Sequence, residues 1–169
     1  MRIFLTGATG YLGAAALDAF LKGGHHVTAL VRTREHLLVY DAGPRYSRDS
    51  DAGQRVLLPL LRALGETRID VLTLSHRDSD HVGGAPALIE SLPPAPLRSS
   101  LAPGHELPAA LPPGRALRCE AGQRWEWDGV TFAVLWPPAD EYERARQPNA
   151  LSCVLRVHGG SASLLLAGD

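Results

Sequence analysis

Cysteine, long apolar runs and an excess of one charge are scarce or missing in this sequence. It has only two cysteines, Cys119 and Cys153, neither of them in a CxxC pair, which excludes a disulfide-rich scaffold and a zinc finger. No apolar run approaches the roughly 18 residues of a membrane-spanning helix. Lys and Arg total 17 against 18 Asp and Glu, so no global positive charge attracts nucleic acid.

What remains is the composition of one globular domain. The chain has 169 residues, of which 45% are hydrophobic and 21% are charged. No signal peptide is recognisable, so we expect a soluble protein that stays in the cytoplasm. Two buried thiols are expected in such a compartment, and a single disulfide between the cysteines is the alternative.

A glycine-rich turn lies between a short apolar strand and an alanine-rich helix at the start of the chain. In "TGATGYLG" it carries Gly7, Gly10 and Gly13, an arrangement that lets the backbone approach a pyrophosphate at a helix N-terminus. A second strand follows over Val27–Val31, and Arg32 at its end would suit the 2′-phosphate of NADP.

These features resemble the start of the NmrA-like and other extended short-chain dehydrogenases. The resemblance implies a Rossmann-like βαβ segment over residues 1–33 that binds NADP. It stops there, because the Tyr-x-x-x-Lys pair of many members is absent. A glycine turn that holds no cofactor is therefore the favoured interpretation.

The rest of the chain alternates between helical and strand patterns. Apolar spacing predicts a helix over Gly53–Leu64 and a buried strand in "IDVLTLSH". Asp128-Gly129 indicates a hairpin turn, and two further strands follow around a glycine turn near the end. The segment Pro93–Pro113 is rich in proline and alanine, with short stretches between that could form strands, which predicts a surface connection with little regular structure.

The segment "LSHRDSDHVGG" concentrates nitrogen and oxygen donors immediately after the predicted strand. Alternate residues of an extended segment point the same way, so His76, Asp78 and Asp80 can converge, and the turn brings His81 to a neighbouring position. Such a cluster can hold one or two cations that activate a water. The alternative is a solvated polar loop whose aspartate caps the helix that follows.

Several blocks of sequence stand in the order found in the metallo-β-lactamase superfamily. They are "YDAGPRYS", "LLPLLRALG", "IDVLTLSHRDSDHVGG", "CEAGQRWEWDGVTFAVLWP" and "NALSCVLRV". From about Val27 to Asp169 the chain resembles the C-terminal hydrolase-like domain of the ComEC family of competence DNA-uptake channels. The resemblance implies an α/β fold, the first half of an αββα sandwich, over residues 34–169.

The resemblance also implies roles for individual residues. His76, Asp80 and His81 match the metal-ligand loop, and Asp169 matches the aspartate that bridges two metals. Asp41 matches the aspartate that supports this loop from an earlier strand, so Asp41 and Asp80 are the candidate catalytic residues.

Two positions depart from the pattern of the wider superfamily. Asp78 stands where a histidine is usual, and its harder oxygen favours manganese over zinc as the divalent metal. The further histidine expected between the loop and the bridging aspartate cannot be assigned, because His105 and His158 are both expected at the surface.

The function implied is metal-dependent phosphodiester hydrolysis with DNA as the partner, by a water that the metal activates. The family resembled is an inner-membrane protein, and only half of its domain is matched, so we expect weak or absent turnover. Two alternatives stay open, an NADP-dependent reductase and a non-catalytic fragment or binding module.

Other reactive or aromatic side chains are given structural interpretations. No nucleophile elbow surrounds any serine or cysteine near the acidic loop or the chain end, so covalent catalysis is not expected. The aromatic alternation in "WEWDGVTFAVLW" is typical of one face of a packed hairpin, with a base-stacking platform as the alternative. The rejected nucleophiles are Ser75, Ser79, Ser152 and Cys153. The aromatic residues are Trp125, Trp127, Phe132 and Trp136.

Overall fold

The computed structural model describes residues 27–92, 95–145 and 147–169 of the chain. Most of its strands belong to two sheets, and a short hairpin, β3 with β4, stands apart. The strands are β1 (Ala29–Arg32), β2 (Leu37–Tyr40), β3 (Arg45–Ser47), β4 (Ser50–Asp51), β5 (Val71–Leu74), β6 (Leu97–Ser99), β7 (Ala116–Arg118), β8 (Arg124–Trp127), β9 (Val130–Trp136), β10 (Val154–Gly159) and β11 (Ala162–Leu166).

The first sheet has the order β1-β2-β5-β6-β7. β1 pairs with β2 in antiparallel register, and the other three pairings are parallel. Helices form the connections between the parallel strands, as such crossovers require. Because the carboxyl ends of parallel strands lie at one edge of the sheet, the loops after β2 and β5 are neighbours.

The second sheet is antiparallel throughout, in the order β11-β10-β9-β8. The predicted hairpin is confirmed, because Trp127 pairs with Val130 across Asp128 and Gly129. Both turn residues have positive φ, which the Asp-Gly pair accommodates. The predicted closing strands are confirmed as β10 and β11.

Short helices cover the outer face of the first sheet and connect the strands. The predicted helix over Gly53–Leu64 is confirmed, as a π-helical turn that continues into an α-helix with Pro59 in its first turn. The helical elements are that π-helical turn (Gly53–Leu57), α1 (Leu58–Ala63), α2 (Ser79–Val82), α3 (Ala85–Ser91), α4 (Glu106–Ala109), α5 (Glu141–Arg144) and a 3₁₀ turn (Pro148–Leu151).

The core forms two layers on either side of the first sheet. On β2, Leu37 and Val39 face the helices, whereas Leu38 and Tyr40 face the second sheet. All four side chains are buried, as expected for a strand that is covered on both faces. The order helix, sheet, sheet confirms the predicted mixed α/β architecture.

The prediction for Pro93–Pro113 is wrong in part. Within this segment β6 lies between β5 and β7, and Leu97, Leu101, Leu107 and Leu111 are buried in the core. Proline and alanine obscured these four leucines. The parallel pairing that orders β6 depends on strands distant in sequence, which local composition does not reveal.

The expectation of two thiols is also wrong, because Cys119 and Cys153 form a disulfide. Cys119 follows β7 and Cys153 precedes β10, and their Cα atoms are 5.8 Å apart, within bridging range. The two residues are separated by 34 positions, so only the packing of the two sheets brings them together.

The glycines of the predicted cofactor turn, Gly7, Gly10 and Gly13, lie outside the described residues. The predicted domain boundary after residue 33 falls in the turn between β1 and β2. Since these strands pair and share one core, residues 29–32 pack as part of the domain that follows. Among the described residues, no helix has the length and apolar character to cross a membrane.

Candidate metal centre

The donor residues meet where β2, β5 and β11 end. Asp41 directly follows β2, His76 lies two residues after β5, and His81 lies on α2. Asp169 reaches the same place from the end of β11. The rings of His76 and His81 lie with centroids 4.1 Å apart and are almost entirely buried.

Asp41 fixes the position of the loop after β5 through hydrogen bonds. Its carboxylate accepts the backbone N–H of Ser75 at 2.7 Å and the hydroxyl of Ser75 at 2.9 Å. The same carboxylate lies 2.8 Å from Nδ1 of His81. Asp41 has a φ of 59°, a left-handed conformation that costs energy outside glycine and occurs often at functional sites.

These contacts determine which nitrogen of each ring carries a proton. An ionised carboxylate such as that of Asp41 can only accept hydrogen bonds. The Ser75 hydroxyl and the Nδ1–H of His81 are therefore the donors in these two contacts. The Ser75 oxygen, 3.0 Å from Nδ1 of His76, is then the acceptor for that ring. Both rings are therefore protonated at Nδ1, and both Nε2 atoms offer a lone pair.

The Nε2 atoms converge on the carboxylate of Asp169. The candidate ligand atoms of His76, His81 and Asp169 all lie within 4.8 Å of one another. Asp169 is 3.2 Å from Nε2 of His81 and 3.9 Å from Nε2 of His76. Asp78 and Asp80 stand at the rim, 3.5 Å from Nε2 of His76 and 3.7 Å from Nε2 of His81, respectively.

The surroundings shift the pKa values of the two rings in opposite directions. Burial, and then the neighbouring His81, lower the pKa of His76. Burial also lowers the pKa of His81, but the hydrogen bond and charge of Asp41, with help from Asp169, outweigh it and raise that pKa. The lowered pKa favours the neutral form of His76 that binds a metal, whereas the raised pKa of His81 makes a proton a stronger competitor for a metal there.

Two close backbone approaches hold the loop in place. A side chain on Gly83 would begin 2.1 Å from the backbone nitrogen of Arg45, and one on Gly84 would begin 2.3 Å from the carbonyl of Ala42. The backbone N–H of Ala42 bonds in turn to the carbonyl of His81. Glycine at both positions therefore lets the metal-type loop, residues 75–84, pack directly on the segment after β2.

The family model of the metallo-beta-lactamase superfamily matches residues 21–169. The chain belongs to the metallo-beta-lactamase superfamily. It is 39% identical over 147 residues to "Competence protein ComA" of Neisseria gonorrhoeae, which covers 86% of this chain and 18% of that protein. It is 32% identical over 155 residues to "Recombination protein 2" of Haemophilus influenzae, which covers 90% of this chain and 18% of that protein. The chain thus spans about a fifth of the length of these relatives.

Solved structures show the same superfamily fold. A metallo-beta-lactamase of Cronobacter sakazakii with a HARLDQ motif superposes with a TM-score of 0.60 at 22% identity, covering 84% of this chain and 52% of that one. The metallo-beta-lactamase fold protein YhfI of Bacillus subtilis superposes with a TM-score of 0.55 at 16% identity, covering 85% of this chain and 55% of that one. At these identities the likeness supports the fold alone.

The residues of the centre fit the divalent metals that superfamily members bind. Nε2 of His76 is buried and makes no hydrogen bond within the described part of the chain. A buried nitrogen without such a bond is costly unless a ligand satisfies it. Two imidazole nitrogens and a carboxylate oxygen are donors that suit zinc and other first-row metals.

Sequence reasoning missed three residues of this centre. Ser75 and Ser152 are considered in the sequence only as nucleophiles, yet Ser75 contacts Asp41 and both histidines. Ser152 lies 3.4 Å from Nδ1 of His76, and Asn149 donates to Asp169 at 3.3 Å. Only the position of Ser75, immediately before the first histidine of the loop, was a signal in the sequence.

The two remaining histidines considered for the centre, and the residue predicted to select NADP, lie elsewhere. His105 caps α4, and His158 is exposed on β10 beside Ser163. Arg32, predicted to select NADP, pairs with Glu66 at 2.8 Å. The NADP site rests otherwise on glycines outside the described residues, and it stays a prediction.

Proposed function

We propose that the chain is the metal-dependent hydrolase domain of a ComEC-type DNA-uptake protein and cleaves phosphodiester bonds of DNA. The convergence of His76, His81 and Asp169 on one point carries the hydrolytic part of this proposal. The likeness to a competence protein over 86% of the chain supports the DNA substrate.

A divalent metal at this centre would lower the pKa of a water and stabilise negative charge that develops on a phosphoryl oxygen. His76, His81 and Asp169 would hold it, with Asp78 and Asp80 at the rim. Asp41 is a positioning residue, because it orients His81 and the loop and does not reach the reacting atoms. Asp80, with a side chain 35% exposed, can accept a proton from the attacking water.

The metal we propose is manganese in preference to zinc. Asp78 and Asp80 add carboxylate oxygens beside the two imidazoles. A donor set richer in hard oxygen shifts preference towards manganese, although zinc binds imidazole more tightly in general.

Calorimetric titration with manganese and with zinc, together with hydrolysis of bis(p-nitrophenyl) phosphate and of labelled DNA, tests the proposal. The pair His76→Ala and His81→Ala should abolish metal binding and any metal-dependent hydrolysis. His158→Ala is the matched control, since it removes an exposed histidine of β10 far along the chain from the loop, and should change neither.

Two results would contradict the proposal. Metal binding that persists after loss of both histidines would place the cation elsewhere. Metal-loaded protein that hydrolyses neither the small diester nor DNA would leave a metal-binding module without the proposed activity.

A further inference from the structure

A cleft of about 540 Å³ opens beside the metal-type loop. It lies among the segment before α4, the end of β7, α5 and the 3₁₀ turn. The side chains that matter for its chemistry are Arg77, Ser100, His105, Arg118, Tyr142 and Leu151.

The cleft adjoins the loop that carries the candidate metal ligands. Arg77 lies between His76 and Asp78 in the chain, and its side chain is exposed towards the cleft. Ser100 donates a hydrogen bond of 2.6 Å to the carbonyl of Ser75. The wall of the cleft and the loop of the metal centre are therefore neighbours, joined through Arg77 and Ser100.

The lining of the cleft suits an anion with flat apolar groups. Two arginines face it, and none of the described residues that line it is acidic. Arg118 also pairs with Glu120 outside the lining at 3.1 Å, but about half of its side chain stays exposed. Phosphodiester chains are bound by such guanidinium groups through charge and hydrogen bonds.

The aromatic ring of Tyr142 forms part of the lining of the cleft. The guanidinium of Arg118 stacks on its ring, with Cζ 4.4 Å from the ring centre. The Tyr142 hydroxyl donates to the carbonyl of Cys119, and burial raises its pKa to about 12, so the ring stays neutral and held in place. Unstacked nucleobases bind on aromatic rings and on guanidinium planes.

We infer that this cleft binds a single-stranded segment of DNA next to the phosphodiester at the metal centre. Arg77 and Arg118 contact its phosphates, and the stacked pair of Tyr142 and Arg118 receives a base. The inference rests on the proposed function, to which it adds a substrate-binding surface and a preference for single strands.

Fluorescence anisotropy with a labelled oligothymidylate of about ten nucleotides, in chelator to prevent cleavage, tests the inference. The double variant Arg77→Gln/Arg118→Gln should weaken binding about tenfold and reduce the salt dependence, the slope of log K against log salt, by about 1.4. Tyr142→Ala should also weaken binding about tenfold, whereas Tyr142→Phe, which keeps the ring, should retain it.

Arg55→Gln/Arg62→Gln removes two exposed arginines from the helical layer and is the matched control. Manganese affinity should match the wild type in every variant, and each variant should unfold cooperatively, which separates loss of the cleft from loss of the fold. Oligonucleotide binding that is absent from the wild type, or unchanged in the arginine and tyrosine variants, would overturn the inference.

Hydrolysis of bis(p-nitrophenyl) phosphate separates this inference from the proposed function. The small diester does not need the cleft, so the cleft variants should hydrolyse it at the wild-type rate. Hydrolysis without oligonucleotide binding overturns the cleft alone, and oligonucleotide binding without any hydrolysis overturns the activity alone.

Discussion

Ser75 donates two hydrogen bonds to Asp41, one from its backbone N–H at 2.7 Å and one from its hydroxyl at 2.9 Å. Through this pair the end of β2 determines the orientation of the loop after β5. The Ser75 oxygen also lies 3.0 Å and 3.1 Å from Nδ1 of His76 and His81. One hydroxyl thereby helps to orient both candidate ligands.

Replacing Ser75 with alanine should weaken manganese binding by about tenfold, because partners of metal-bound histidines commonly contribute this much. Calorimetric titration measures the change. Ser79→Ala, at an exposed position four residues along the chain, is the control and should bind as the wild type does. Equal affinities in a folded Ser75→Ala protein would remove the positioning role.

Removing the disulfide should destabilise the protein. Changing Cys119 and Cys153 to serine opens a cross-link between segments separated by 34 residues, which costs about 3–4 kcal/mol of unfolding free energy. Urea denaturation with and without a reductant measures the loss. If the reductant leaves the wild-type midpoint unchanged, the two cysteines are not linked in solution.

Gly84→Ala should disrupt the loop. Its new methyl carbon would lie 2.3 Å from the carbonyl oxygen of Ala42 and 2.4 Å from the backbone nitrogen of Gly53, neither of which is a flexible side-chain end. We expect a lower thermal midpoint and weaker manganese binding. Gly104→Ala, where nothing lies within 4 Å of the added carbon, should change the midpoint little. Similar midpoints for the two variants would contradict the packing described.

Asp128 should contribute stability that depends on pH. Its carboxylate accepts hydrogen bonds from the Thr33 hydroxyl, the backbone N–H of Glu35 and the ring of His36, and these lower its pKa. A lowered folded-state pKa stabilises the protein above the unfolded value of about 4, and the contribution is lost as pH falls below it.

The thermal midpoint of Asp128→Asn should therefore lie below that of the wild type at neutral pH. The difference should shrink as pH falls below about 4. Glu126→Gln, on the exposed side of the same hairpin, controls for the loss of one carboxylate. A difference that stays constant down to low pH would show that the charge of Asp128 is not what stabilises this contact.

Local patterns predicted the elements with strong periodicity or turn chemistry. Helical spacing located α1, and the Asp-Gly pair located the turn between β8 and β9. β6 could not be located within Pro93–Pro113, where short strands were only a possibility, because a three-residue strand among prolines has no period of its own. Its order comes from pairing with β5 and β7, which are remote in sequence.

The candidate site was predicted only as far as its donors lie close together in sequence or match a family motif. The segment from His76 to His81 has the side chains that metals bind, and the family blocks around it favour a cation site over a solvated loop. Asn149 and Ser152 were not foreseen, because neither type of side chain stands out in a loop. Their role arises from where the chain returns between α5 and β10.

The sequence by itself determined the hairpins and the concentration of histidine and aspartate after β5, because these depend on residue type and short-range spacing. The α/β class followed from its resemblance to a known family. The tertiary structure alone decided that Cys119 meets Cys153, that Ser75 joins both histidine rings to Asp41, and that a cleft with two arginines adjoins the centre. Those relationships join residues distant along the chain, and only the packing of two sheets and their loops brings such residues within bonding distance.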